Sequence, residues 1–140
     1  MTGFRARSGL ALDAIGLLCR PVGDDGQLGG EEAVGALAGG TGGTASSARC
    51  PRDSVAAGAT VYHSTSVVVG LTITCRNWIA SSRRFGTSST TRLAVGIVAA
   101  TTGLAVARGG MCAEDLQPIR NLHGRSGTLV DALGITCNEP

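Results

Sequence analysis

Lysine is absent from this 140-residue chain, and aromatic side chains nearly so: it has two Phe, one Tyr and one Trp. A core therefore has to be assembled from Val, Leu, Ile and Ala. Charge is scarce as well, at 16% of residues with a net of +2. The basic residues are all Arg, and they are scattered, with Arg83-Arg84 the one adjacent pair. No basic stripe interleaves with aromatics, so nucleic acid is not an expected partner. Long apolar runs are missing too. Leu93 to Ala107 spans fifteen residues between Arg92 and Arg108 and contains two Gly and two Thr. That is short for a membrane-crossing helix, and it reads as two buried strands with a turn. No secretion signal is visible, because the apolar stretch Leu10 to Leu18 is broken by Asp13 and has no small-residue cleavage site.

Glycine is abundant. Its 22 copies favour tight turns and close backbone approaches over long helices. The length suits one domain, and 43% hydrophobic residues set the chain apart from a disordered tail.

An internal repeat organises the rest. Arg7 to Cys19 (RSGLALDAIGLLC) and Arg125 to Cys137 (RSGTLVDALGITC) are identical at seven of thirteen positions. A weaker copy, Ser64 to Cys75, keeps the apolar alternation and the Cys but replaces the Gly and the Asp with Thr65 and Val69. Twenty-four residues separate Cys50 from Cys75, and twenty-four separate Cys112 from Cys137. This shared register predicts disulfides Cys50–Cys75 and Cys112–Cys137, each worth about 3.5 kcal/mol through loop closure. Buried free thiols are the alternative. The same register leaves Cys19 unpartnered and places the start of the chain inside a repeat.

A second block precedes each inner Cys: Ala33 to Gly43, and Ala94 to Gly103. The unit is two hairpins, one with a Gly-rich turn and one with a Ser-Gly turn. Leu71, Ile73 and Cys75 share one strand face, as do Ile15, Leu17 and Cys19. The chain is expected to be all-β, one domain of three four-stranded sheets with the first incomplete, in units of about 1–22, 33–76 and 94–140. Gly23 to Glu32 and Asn77 to Arg92 read as variable links; the second carries Trp78, Phe85 and the paired arginines, as a surface loop with a covering aromatic or a small recognition loop.

Two phrases carry a resemblance. Gly124 to Gly134 reads Gly-Arg-Ser-Gly-x-x-x-Asp-Ala-Leu-Gly, with an N-terminal copy in which Ala6 replaces the first Gly. Val34 to Gly43 reads Val-Gly-x-x-x-Gly-Gly-x-Gly-Gly. These resemble the jacalin-related lectins, and the Cys50-Pro51 opening and closing cysteines look more like the vitelline membrane outer layer proteins that share the same architecture. The resemblance implies a β-prism of three pseudo-symmetric Greek-key sheets. It also implies a non-catalytic module that binds hexose such as mannose, with no cofactor or metal.

In such lectins the sugar lies between a Gly-x-x-x-Asp loop and a double-glycine loop. A hydroxyl both donates and accepts, so a fixed carboxylate beside exposed N–H groups matches it. Carried over, one site uses Gly9, Leu10, Ala11 and Asp13, covered by the loop from Gly39 and Gly40 to Gly43. A second uses Gly127, Thr128, Leu129 and Asp131, with no partner loop in the chain. The middle copy is expected to be inactive, since the Val69 side chain cannot accept a hydrogen bond. Asp13 and Asp131 also fit turn-capping roles.

Other chemistry has less support. Gly40 to Ala45 loosely matches a dinucleotide fingerprint but leads to Cys50-Pro51 without the required helix or acid. His63 and His123 are not spaced with Cys as zinc ligands, and nothing positions either beside Cys19 as a nucleophile's base. The rival to sugar binding is a disulfide-stapled structural, adhesion or targeting module, as a homo-oligomer or attached to another domain. Disulfides would favour a secreted or extracellular location.

Overall fold

A computed structural model describes residues 1–98, 105–112 and 116–139. Among them are eleven β-strands and no helix, so no helix is long and apolar enough to cross a membrane. The first sheet is built from β1 (Gly3–Ser8), β2 (Leu12–Cys19), β3 (Ala33–Val34), β4 (Ala38–Gly39) and β5 (Thr44–Arg49). β3 and β4 are successive short pieces on one edge of β2, giving the order β3/β4-β2-β1-β5. The second sheet repeats this arrangement with β6 (Ser54–His63), β7 (Val68–Ile79), β8 (Arg84–Gly96) and β9 (Val106–Met111) in the order β8-β7-β6-β9. In both, three consecutive antiparallel strands are followed by a fourth that crosses back beside the first, which is a Greek key. The third sheet is the hairpin β10 (Ile119–Ser126) and β11 (Val130–Cys137).

The all-β prism with three sheets agrees with the sequence, but its phase differs. Hydrogen bonds join each Ser-Gly hairpin to the Gly-rich hairpin that follows it, because β1 pairs with β5 and β6 with β9. The sheet with only two strands among the described residues is thus the third, not the first. An alternation of two hairpin types does not reveal where a sheet begins; edge pairing decides that.

The inward faces meet in one core. Cross-strand rungs Val61–Leu71–Val95 and Ala59–Ile73–Leu93 line the second sheet, and all six side chains are buried. In the first sheet Phe4 lies opposite Leu17 and Ala6 opposite Ile15. The third sheet contributes fully buried Ile119 and Val130, while Leu122, Leu133 and Ile135 are only half covered. Both predicted disulfides are present, Cys50–Cys75 and Cys112–Cys137, each with Cα atoms 5.6 Å apart. Cys19 is a half-buried free thiol.

Three local expectations are corrected. Residues 77–92 are not a link: β7 runs to Ile79 and β8 starts at Arg84, joined by a tight turn with Arg83 at φ 52°. Phe85 is accordingly a fully buried core residue. The Ser/Thr-rich stretch that resembles a loop is the solvent-facing part of a strand. Of the apolar segment before Cys112, β8 buries Leu93 and Val95 in alternation, but β9 is exposed at all six positions, with a groove of about 230 Å³ between it and β11. The two glycine blocks also superpose differently than their shared Ala-Val-Gly suggests. Gly39 pairs with Ala14 as Gly96 pairs with Gly70, so Gly39, not Gly35, is the partner of Gly96. Residues 99–103 of the second block lie outside the described residues.

Candidate functional site at the glycine-loop end

The β1–β2 turn and the segment after β4 come together at one end of the prism. Gly9 N–H donates to the Ala11 carbonyl (2.9 Å), closing a tight turn with Leu10 at its tip, 90% exposed. The chain then enters β2, and Asp13 is drawn inward to 9% exposure. Gly40 N–H donates to the Asp13 carbonyl (2.8 Å), which fastens the glycine loop to the strand. A Cβ at Gly42 or Gly43 would collide with the Asp13 carboxylate oxygens, and Gly43 holds φ +64°, a left-handed conformation that glycine adopts at little cost. The glycine loop therefore lies directly on the carboxylate.

Among the described residues, no hydrogen-bond donor reaches the Asp13 side chain; the bonds nearby go to the backbone carbonyls of Asp13, Gly42 and Gly43. Capping of its own turn, the alternative role for this Asp, is not what the geometry shows. Its oxygens are not among the fully buried, unpartnered side-chain atoms of the described residues, so a donor from outside can reach them.

Arg7 is the residue that sequence reasoning passed over. From β1 its Nε donates to the Gly42 carbonyl (2.7 Å) and its Nη2 to the Gly43 carbonyl (2.8 Å). This two-pronged contact braces the glycine loop. The signal was present, since Arg heads both strong copies of the repeat. The side chain of its counterpart Arg125, in the β10–β11 ladder, makes no hydrogen bond to the described residues.

The C-terminal loop copies the turn but not the enclosure. Gly127 N–H donates to the Leu129 carbonyl (2.9 Å), as in the first copy. Asp131, however, is exposed. It borders an open groove of about 370 Å³ with His63, Thr65, Ser66, Arg108 and Arg125. Gly40 packs against the Thr128 backbone, closely enough that a Cβ would collide, so the one described glycine loop touches both Gly-x-x-x-Asp loops. In the middle turn the Val69 carbonyl accepts from Ile97 N–H (2.8 Å), the same bond that Asp13 makes with Gly40, but there is no carboxylate. Gly40 to Ala45 runs into strand β5, not a helix. Among the described residues no three His, Cys, Asp or Glu side chains gather to hold a metal.

The sequence matches no family model and no curated protein. Solved structures do resemble the chain. A mannose-binding jacalin-related lectin from Ananas comosus aligns over 96% of this chain and 78% of its own, with TM-score 0.50 and 23% identity. Malaysian banana lectin aligns over 98% and 83%, with TM-score 0.53 and 18% identity. A variant of that banana lectin gives TM-score 0.52 at 17% identity over 98% and 82%. This chain thus has the β-prism fold seen in jacalin-related lectins.

Proposed function

We propose that the glycine-loop end of the prism binds a hexose of mannose type, without catalysis. The observation that carries this reading is the Asp13 carboxylate, almost buried under Gly42 and Gly43 and receiving no hydrogen bond from the described residues. Adjacent sugar hydroxyls supply the donors that the protein withholds. The exposed tip of the Gly9–Asp13 turn offers backbone N–H groups and the Leu10 side chain as a small apolar contact. The Ananas comosus neighbour is a mannose-binding lectin, which supports the same ligand class. With few hydrogen bonds and no aromatic in either loop, the dissociation constant at each site is on the order of millimolar. Glycan binding and two disulfides are compatible with an extracellular setting.

The test is NMR titration of the protein with methyl mannoside, galactose and glucose, alongside Asp13→Asn and Asp13→Ala. Saturable amide shifts around Gly9 and Gly39, weakened in Asp13→Asn and lost in Asp13→Ala, support the reading. Folded protein whose amides ignore all three sugars at tens of millimolar would refute it. One observation favours a second reading, a structural or targeting module: both edges of the third sheet are unpaired among the described residues. Unpaired edges are pairing sites for other chains.

A further inference from the structure

We infer that the opposite end of the prism carries a second carbohydrate site, built on Trp78 and taking a neutral oligosaccharide. A groove of about 510 Å³ runs there between the start of β6, the end of β7 and the link that follows β2, bordered by Gln27, Leu28, Asp53, Asn77, Trp78 and Ile79. The volume lies within the range of small-molecule sites. Its walls are fixed. Trp78 Nε1 donates to the Gly26 carbonyl (2.7 Å), tying the indole to the link, and the Trp78 backbone N–H donates to the Asp53 carbonyl (2.8 Å), tying its strand to the start of β6. Arg83 donates to the Asp24 carbonyl (2.7 Å) and pins the same link. Gly26 sits at φ +79°, and a Cβ added there would collide with the Ala80 carbonyl, so a side chain could not fit.

Against that fixed frame, the side chains of Gln27, Asp53 and Asn77 make no hydrogen bond to any described residue. Half-buried Trp78 packs on the core and also borders the groove. A polarised indole beside two amides and one carboxylate is the chemistry that reads a pyranose. The ring takes the C–H face of the sugar, while the planar polar groups donate to and accept from neighbouring hydroxyls. Asp53 disfavours acidic sugars. The exposed apolar rim of Ile79, at 44%, extends the contact beyond one ring, which favours an oligosaccharide over a monosaccharide. The chain would then present sugar-binding surfaces at both ends, and could bridge two glycans.

The site stands apart from the glycine-loop reading, and one experiment separates them. Trp78 is the only tryptophan, so its fluorescence reports the groove directly. The protein is titrated with mannobiose, lactose and cellobiose. The same titration is run on Asp13→Ala/Asp131→Ala, which disables the loops, and on Asp53→Ala/Asn77→Ala, whose exposed positions leave the fold intact by circular dichroism. The expected result is a saturable change in emission with one of the three. It persists in the loop variant and weakens about tenfold or more in the groove variant, as loss of a charged hydrogen-bond partner requires. Emission unmoved by all three sugars at tens of millimolar, or a change abolished by the loop variant, would overturn the inference.

Discussion

The two disulfides close loops of the same size, with a separation of 25 residues each, so loop-closure entropy assigns both the same value, about 3.5 kcal/mol. That is roughly a 300-fold change in the ratio of folded to unfolded chain. Their settings in the fold are different. Cys75 sits in the middle of a four-stranded sheet, paired with Ala56 on one side and Thr91 on the other, at zero exposure. Cys137 is the last residue of β11, and Cys112 follows β9, so this bridge ties the edge of the second sheet to a hairpin with no other strand paired to it among the described residues. A two-stranded hairpin is marginal by itself. Only Ile119 and Val130 of this one are fully buried. Equal entropic values therefore predict unequal consequences. In Cys112→Ala/Cys137→Ala, amides from Ile119 to Cys137 should lose hydrogen-exchange protection by roughly that 300-fold while the first two sheets keep most of theirs. In Cys50→Ala/Cys75→Ala the loss should spread evenly, with a comparable fall in the urea-derived stability. Native-state exchange read residue by residue decides it. Uniform loss in both variants would refute the idea that the third sheet is an independently opening unit held by its bridge.

Gly43→Ala introduces a Cβ into the Asp13 carboxylate and the Ser8 backbone at φ +64°, and should cost about 1–3 kcal/mol in thermal unfolding while weakening hexose binding. Arg7→Ala removes both braces of the glycine loop; with the side chain outside the core, stability should fall by only about 1 kcal/mol, yet hexose affinity at the Asp13 loop should drop several-fold by NMR titration. Arg125→Ala, lacking such bonds, should leave that affinity unchanged. Phe85→Ala empties a fully buried position of an aromatic-poor core and should cost about 3–5 kcal/mol in urea unfolding.

What was legible in the sequence was whatever the repeat encodes twice. Arg7 to Cys19 and Arg125 to Cys137 share a turn closed by the same Gly N–H bond, and the cysteine register gave both bridges. What the repeat does not encode is pairing between hairpins. Nothing in Ala33 to Gly43 states that Ala33-Val34 and Ala38-Gly39 are two pieces of one interrupted strand, so composition aligned Gly35 with Gly96 where backbone hydrogen bonds align Gly39. Phe85 and Trp78 were misplaced for a related reason. A Ser/Thr-rich stretch looks like a loop when only one strand face is apolar at wide spacing, and seven residues separate Phe85 from the alternating pair Leu93 and Val95. Arg7 was visible but mute, because its partners are carbonyl groups, which leave no trace in side-chain identity.

The contrast between Asp13 and Asp131 bears on what the molecule can do with weak sites. Two loops that share the Gly-x-x-x-Asp pattern make the same turn, yet one carboxylate is roofed by glycines and the other stands open. Desolvation strengthens a hydrogen bond to a charged acceptor, so the roofed site should bind its hexose more tightly. The single described glycine loop lies between them, touching Asp13 with Gly42 and Gly43 and Thr128 with Gly40. A ligand that orders this loop at one site therefore acts on the wall of the other. On the proposed reading each site alone reaches about millimolar strength, and the effective concentration of a second, intramolecular contact is itself on the order of millimolar, so two loops engaging one branched glycan gain about a factor of two over one loop. A branched mannose glycan should then bind more tightly than methyl mannoside by more than its number of residues implies. That surplus should vanish in Asp131→Ala while the monosaccharide affinity at Asp13 stays put. If the branched ligand gains no more than the statistical factor, the two loops act singly and the shared glycine loop is only a structural filler.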